Sequence, residues 1–546
     1  MNPLSEVAMS HPILVVAAGT AVATYMLLSS LLRLTQDPKE PPLVLSTLPF
    51  LSPILGMVKW SMDFYVHMRE TYPNLSIYTL RFPGIRIYVV NSTALVVEVQ
   101  RKWRTLIFPP VSAHASEFAM GGSKKALAII RADMATEAGF MHGFTKAIRP
   151  ALSCEPALDQ LTGNALEVMS GSLDSIVRDG GQNVKLVDWV RHNLLLATTD
   201  SVYGPSNPLR DPKNETAWHT FHPTIMFLML NLVPLSVFRK AIKARDSLAN
   251  SFHQYHTQRQ YEQGSHYIRL WTEYFVSQGI PDEDIAKFHN GGLFALIANT
   301  IPTAFWMIYR VFSDPSVVED CRREVLKAVD FDEKSGVCTI NIPCINRSTC
   351  PALVSTFQEV FRVHGMANSV RLATEDTHLD GGKYLIKKGG LVMLPARVQH
   401  RLHGGAWGPY DVDKFVHRRF VRNMKDSAEP SQSIPNPSAA FRGFGGGTTL
   451  CPGRHFATTE ILGLAAMLLL RFDLVPVAAD GGERQEWILP PTKNSSQAEA
   501  MEQPDHDIDV QLRPRKEFAG KKWQISFGEE GSDGHKTALA VEDLSE

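Results

Sequence analysis

Cysteine is scarce in this chain. Its 546 residues hold six (Cys154, Cys321, Cys338, Cys344, Cys350 and Cys451), and no two stand as Cys-x-x-C. That argues against a zinc site or a disulfide framework and fits a reducing compartment. Cys338, Cys344 and Cys350 recur at six-residue spacing without a histidine pair and read as ordinary thiols. A charge imbalance is also lacking, with 55 Lys+Arg against 56 Asp+Glu, so nothing calls for nucleic acid or another polyanion as partner. No internal repeat is visible, which excludes solenoids and propellers. The G-x-x-x-x-G-K-[ST] pattern of a phosphate cradle is missing.

A long uncharged run does occur, from Pro12 to Leu32. It is long enough to cross about 30 Å of hydrocarbon and too long, without a positive segment before it, for a cleaved signal peptide. Glu6 is the charged side chain before the run, whereas Arg33 and Lys39 follow it. The positive-inside rule therefore faces the C-terminal body to the cytosol. The expected order is a short lumenal segment 1–11, a transmembrane helix 12–32, a stiff proline-rich hinge 33–45 containing Asp37-Pro38-Lys39-Glu40-Pro41-Pro42, one body 46–528, and an acidic disordered tail 529–546. In a cytosolic body the sequons at Asn74, Asn91, Asn214, Asn346 and Asn494 are unused chance matches.

Within the body, Ser61–Glu70 reads as a helix, and Leu75–Arg81 with Arg86–Asn91 as a hairpin around Pro83-Gly84. Helical signals dominate from Ala151 to Val329. Ile225–Leu230 is their most apolar part, too short to span a membrane. It reads either as core packing or as an adaptable, methionine-rich lid. Asp426–Pro437 is a Ser/Pro-rich loop, and Ile508–Leu512 with Lys522–Phe527 suggest a second small sheet. The whole reads as mainly α with small β-sheets (α+β).

Two stretches carry chemistry. Pro281, Asp282, Glu283 and Asp284 open a helix expected to run to Ser313. Pro302 inside it leaves the carbonyl of Ala298 without its i+4 donor, so the helix should open or kink there. The second stretch, Phe444-Gly445-Gly446-Gly447-Thr448-Thr449-Leu450-Cys451-Pro452-Gly453, places one cysteine at the end of a glycine-rich loop, just before an apolar helix from Phe456 to Leu470. A helix N-terminus favours negative charge on sulfur, and glycines let the backbone wrap closely around it. Such a thiolate suits a metal ion. A lone cysteine before an apolar helix is more often a small core residue, so the weight rests on the whole pattern.

The spacing Phe-x-x-Gly-x-x-x-Cys-x-Gly resembles the haem-ligand loop of the cytochrome P-450 superfamily. The resemblance implies that fold, with an N-terminal single-pass transmembrane helix, and haem b (iron protoporphyrin IX) whose axial iron ligand is Cys451. It makes Phe444, Gly447 and Gly453 cofactor-binding. Glu359 and Arg362 share a helix face, a spacing that by itself usually marks a solvated pair. Their order before Phe415-Val416-His417-Arg418-Arg419-Phe420 resembles the family's brace of the haem loop, making Glu359, Arg362 and Arg419 structural. His417 stands where proline is usual and Arg418 where an acid is common. Thr449 stands where many relatives carry a basic propionate partner. Arg371 is the expected substitute, and Arg149 stands in for an absent Trp-x-x-x-Arg helix.

Ala298-Asn299-Thr300-Ile301-Pro302, followed by Phe305-Trp306, resembles the branch of bile-acid sterol hydroxylases and prostacyclin synthase. Asn299 and Thr300 occupy the positions of the family's acid–alcohol pair, but an amide cannot deliver a proton as an acid. The resemblance thus implies a monooxygenase on the endoplasmic reticulum membrane. It would oxygenate a bulky lipophilic substrate such as a sterol, terpenoid or other natural product of secondary metabolism, with electrons from an NADPH-dependent flavin reductase. Asn299 leaves open an isomerase or dehydratase acting on a peroxide-like substrate without external electrons. A haem-binding carrier or sensor is the third reading, disfavoured because a kinked helix and an apolar lid serve a substrate.

Overall fold

A computed structural model describes residues 12–153, 156–403, 407–421, 437–478, 482, 486–518 and 520–528. The expected tail 529–546, the N-terminal segment 1–11 and most of the Ser/Pro-rich loop at 426–437 lie outside the described residues. The chain divides into two compact units, residues 1–107 with 369–398, and residues 108–368 with 399–546.

The smaller unit begins with the helix Pro12–Leu34. Its 20-residue span Val15–Leu34 is apolar enough to cross a membrane, and only 6% of its most apolar window is buried in the protein. The proline-rich segment expected as a stiff hinge is hydrogen-bonded to the strands that follow it. Thr79 N–H donates to Pro42 O (2.8 Å), Val44 N–H to Thr79 O (3.2 Å), and the Tyr88 hydroxyl to the buried Glu40 carboxylate (2.6 Å). Extended Pro-rich backbone has free carbonyls, and a neighbouring strand satisfies them.

The hairpin forms with slightly shifted bounds. Ile77–Phe82 pairs antiparallel with Ile85–Val90, and Gly84 takes positive φ at the turn. It belongs to a five-stranded sheet completed by Leu391–Pro395, Asn368–Ala373 and Leu106–Ile107. The expected helix over 61–70 is a 3-10 turn, Ser61–Asp63, followed by the helix Phe64–Thr71.

The larger unit is helical. Its two main cores are built around Asp282–Ile297 and Thr300–Phe312, the two pieces into which the expected long helix is divided. Phe305, Trp306, Tyr309 and Phe312 on the second piece pack with Leu462, Ala466 and Leu469 of the helix Arg454–Arg471. Ile297 on the first piece shares a core with Phe456. The break between the pieces is therefore held beside the start of the helix that follows Cys451.

The expected second sheet is corrected: its two strands join different sheets. Asp509–Pro514 pairs with Phe472–Pro476 and Gln182–Lys185, whereas Lys522–Ser526 lies parallel to Val337–Asn341. A 3-10 turn at Lys516–Phe518 separates them. The Arg515 N–H donates to Arg471 O (2.9 Å), which continues the pairing of Asp509–Pro514 with Phe472–Pro476.

Candidate active site

The cysteine loop owes its shape to glycine at one point above all. Gly445 has φ +87°, and a Cβ there would meet Thr449 O at 2.8 Å, so a side chain would be strained and crowded at once. Gly447 also takes positive φ and opens the short 3-10 turn Gly447–Thr449. Closing the loop, the Cys451 N–H donates to Phe444 O at 2.9 Å. Phe444 anchors it from below, its ring centroid 4.8 Å from that of Phe361 on the helix Pro351–His364. Gly453 is the N-cap of the 18-residue helix Arg454–Arg471, so Cys451 lies two residues ahead of a helix N-terminus and is partly exposed.

Of the other described cysteines, Cys344 is also partly exposed, but Cys321, Cys338 and Cys350 are buried. Cys321 and Cys350 are fully buried, and burial pushes the Cys350 thiol up to about 12. They are core thiols, whereas Cys451 is presented. Among the described residues no cluster of three or more His, Cys, Asp or Glu could hold a metal ion. The donor set at the loop, one thiolate at a helix dipole with glycine backbone allowing a close flat approach, suits an iron whose remaining ligands come from a macrocycle.

Behind the loop, Glu359, Arg362 and Arg419 come together as a buried network. Arg362 Nε and Nη2 grip the two Glu359 oxygens at 2.7 and 2.8 Å. Arg419 Nε reaches both oxygens at 3.0 and 3.1 Å, and the Val416 N–H adds a fourth partner at 3.0 Å. The remaining guanidinium protons go to backbone carbonyls. Arg362 Nη1 donates to Val412 O (2.7 Å), and Arg419 Nη2 to Asp411 O (2.7 Å) and Lys414 O (2.9 Å). A carboxylate with zero exposure and two guanidiniums is tolerable because every charge is paired and hydrogen-bonded. The atypical neighbours have their own work. His417 Nε2 and Arg418 Nε both meet Asp320 Oδ2, at 2.9 and 2.8 Å.

The opposite side is the helix break. Asn299 and Thr300 sit at it, Thr300 buried and Asn299 half-buried. The Thr300 hydroxyl donates to Leu296 O (2.8 Å), leaving its oxygen free only to accept. Asn299 Oδ1 accepts the Ala500 N–H at 2.7 Å, and the carbonyl of Ala298, deprived of its helical donor by Pro302, accepts from Gln503 Nε2 at 3.4 Å. The break is thus capped by a segment two hundred residues away. That segment is clamped in turn. Trp306 Nε1 donates to Glu502 O (2.8 Å), Met366 N–H to Ala500 O (2.8 Å), and His364 Nδ1 meets Glu502 Oε2 (2.8 Å).

Sequence reasoning missed the 499–503 segment, since nothing in its composition signals a distant helix break. It also missed two buried ionisable side chains. Arg442, two residues before Phe444, is 1% exposed, with its N–H donating to His400 Nε2 (3.0 Å); an arginine within Ala439-Ala440-Phe441 was the available signal. Glu460, in the helix after the loop, is fully buried. Desolvation raises its carboxyl to about 8, partly opposed by the Thr198 hydroxyl that donates to it at 2.7 Å. Of the expected propionate partners, Arg371 is buried in the smaller unit, where its Nη1 donates to Ser369 Oγ and Val370 O, both at 3.0 Å. Arg149 is exposed near the end of the helix Phe140–Ser153.

Comparison with known proteins agrees with this geometry. The family model described as Cytochrome P450 matches residues 41–495. A "Cytochrome P450 monooxygenase nodJ" of Hypoxylon pulicicidum is 30% identical over 521 residues, covering 94% of this chain and 98% of that protein. "Cytochrome P450 7A1" of Rattus norvegicus is 28% identical over 52% of this chain and 55% of its own length, in keeping with the motif likeness around Asn299. Among solved structures, a retinoic-acid-bound cyanobacterial CYP120A1 superposes with a TM-score of 0.64 at 18% identity, covering 88% of this chain and all of that one. That likeness shows the fold. A single cysteine presented at a helix N-terminus, in a family-model match across most of the chain, makes the protein a member of the cytochrome P450 family, a haem-thiolate monooxygenase.

Proposed function

We propose that the chain is a membrane-anchored monooxygenase that takes electrons from an NADPH-dependent flavin reductase and oxygenates a bulky lipophilic substrate of secondary metabolism, such as a sterol or terpenoid. The observation that carries the reading is the pairing of a presented Cys451 with a helix opened at Ala298–Asn299 beside the same core. Haem bound at Cys451 supplies the oxygen-activating chemistry, and the thiolate's electron donation favours O–O cleavage. Cys451 would hold the iron, with Phe444, Gly447 and Gly453 shaping the loop beneath the macrocycle.

The chain's own residues then bind and orient. Thr300 offers a hydroxyl oxygen that accepts a hydrogen bond at the opened turn, and the Asn299 amide nitrogen offers a donor. Neither is an acid, so proton delivery there falls to ordered water. Because Asn299 Oδ1 caps the Ala500 N–H, this residue has a structural reason to be asparagine, and its presence no longer favours rearrangement over oxygen insertion.

Entry from the bilayer is supported by a second apolar surface. The helix Ile225–Leu230 buries Ile225 and Leu228 while Phe227, Leu230, Leu232, Leu235 and Val237 are exposed. A solvated protein rarely leaves such a run in water. Together with the apolar N-terminal helix this fits a lid resting on the membrane, on the cytosolic face of the endoplasmic reticulum. The test is NADPH consumption by the reconstituted holoenzyme, coupled to product, that requires both reductase and substrate. Product formed from a peroxide without reductase would refute it.

A further inference from the structure

Glu499 is a carboxylate that the clamp around the helix break does not use. It is 5% exposed and immediately precedes Ala500, whose N–H is held by Asn299. One oxygen, Oε1, lies 3.1 Å from His222 Nε2. The other, Oε2, is buried and has no hydrogen-bond partner among the described residues. His222 sits at the root of the lid, three residues before Ile225, its ring stacked on Trp218 at 5.0 Å and tilted against Phe294 of the helix Asp282–Ile297 at 5.8 Å. Glu499 therefore lies between the lid root and the opened turn, the two elements that would bound the space over the iron.

Removing a carboxylate oxygen from water without a donor is unfavourable by several kcal/mol unless something supplies one. Movement of the side chain back to solvent is opposed by its backbone. The Glu499 N–H donates to Ser496 O (3.0 Å), and the next residues are fastened by Asn299, Met366, Trp306 and His364. A fixed, buried acceptor without a donor is a usual device for selecting and orienting a ligand.

Resting on the monooxygenase reading above, we infer that Glu499 is a substrate-recognition residue: its free carboxylate oxygen accepts a hydrogen bond from a hydroxyl or N–H group of the lipophilic substrate. The substrate class narrows to amphipathic molecules, an apolar skeleton carrying a donor, as against plain hydrocarbons, ethers or esters. The His222 contact at Oε1 places the carboxylate beside the root of the lid, and Oε2 is the oxygen offered to the ligand.

The test uses probes that ligate the haem whatever the natural substrate is. Imidazoles N-alkylated with chains of graded length, each ending in a hydroxyl or in the matching methyl ether, are titrated into full-length holoenzyme and followed by the nitrogen-ligand shift of the haem band. Wild type should prefer the alcohol over the ether at one range of lengths, roughly ten- to hundredfold for a hydrogen bond to a charged group. Glu499→Leu should abolish that preference, Glu499→Gln should retain part of it, and His222→Phe should leave it standing. The carbon monoxide spectrum of each variant checks that the folded, haem-loaded enzyme is compared. An alcohol-to-ether ratio equal in wild type and Glu499→Leu at every length overturns the inference, as does a variant that only loses thermal stability. Absence of the thiolate-type band from the wild-type carbon monoxide spectrum would refute the haem-thiolate reading itself, a separate outcome.

Discussion

The two sides of the iron site are built on opposite plans. Behind the cysteine, Glu359, Arg362 and Arg419 form a closed network in which both carboxylate oxygens are paired and the guanidiniums continue into backbone carbonyls. Across the site, the opened turn at Ala298–Asn299 is closed from a distance by Ala500 and Gln503, and beside it Glu499 keeps a buried oxygen without a hydrogen-bond partner among the described residues. A saturated network resists change and suits a cofactor brace. An unsaturated one has capacity left for a ligand, which is why we place substrate selection there.

The largest test of this contrast is Cys451→Ser. It should eliminate the thiolate-type band of the reduced carbon monoxide complex, and an unchanged band would remove the basis of the comparison. Breaking the brace comes next. Glu359→Gln leaves two buried guanidiniums facing a neutral amide, a loss on the order of 3–5 kcal/mol. Haem content per chain, measured on purified protein, should fall steeply; full loading would show that the network is dispensable.

Asn299→Ala attacks the other side. It leaves the Ala500 N–H without its acceptor, at about 1–3 kcal/mol. The melting temperature should drop modestly while the carbon monoxide band persists, so the effect separates cleanly from that of Glu359→Gln. Loss of haem in Asn299→Ala would mean that the two sides are not independent.

The smallest effect concerns Glu460. Its carboxyl is raised from 4.5 to about 8 in the fold by desolvation. The folded state therefore holds a proton that the unfolded chain has released above about pH 4.5. This contribution is fully present below that pH and is lost as pH rises through about 8, with a limiting slope of about 1.4 kcal/mol per pH unit. Glu460→Gln should match wild type near pH 4.5 and exceed it in denaturant midpoint at pH 8. Equal midpoints across that range would show that the buried carboxyl does not titrate with folding.

How much of this was legible follows the distance over which each interaction acts. The hairpin at Pro83–Gly84, the apolar N-terminal helix and the glycine-shaped cysteine loop are set by neighbours along the chain, and each appears close to its expected place. Pro302 announced a disturbed helix because the missing N–H is local. What would satisfy the freed carbonyl was not local, and Gln503 could not have been named. The strands Asp509–Pro514 and Lys522–Ser526 were recognised as strands but assigned to one sheet, since pairing depends on partners far away in sequence. Glu460 and Glu499 gave no signal, because an acid's burial is a property of everything packed around it.

By itself, then, the amino-acid sequence determined the fold family, the glycine-rich loop that presents Cys451 and the apolar N-terminal helix, all of which follow from short-range pattern: residue spacing, glycine conformations and hydrophobic run length. Tertiary structure alone decided the function of Asn299 as a cap for Ala500, the closure of the brace around Glu359, and the stranding of a buried carboxylate at Glu499. Those outcomes depend on which polar groups remain unsatisfied after distant segments pack, and only the folded chain completes that account.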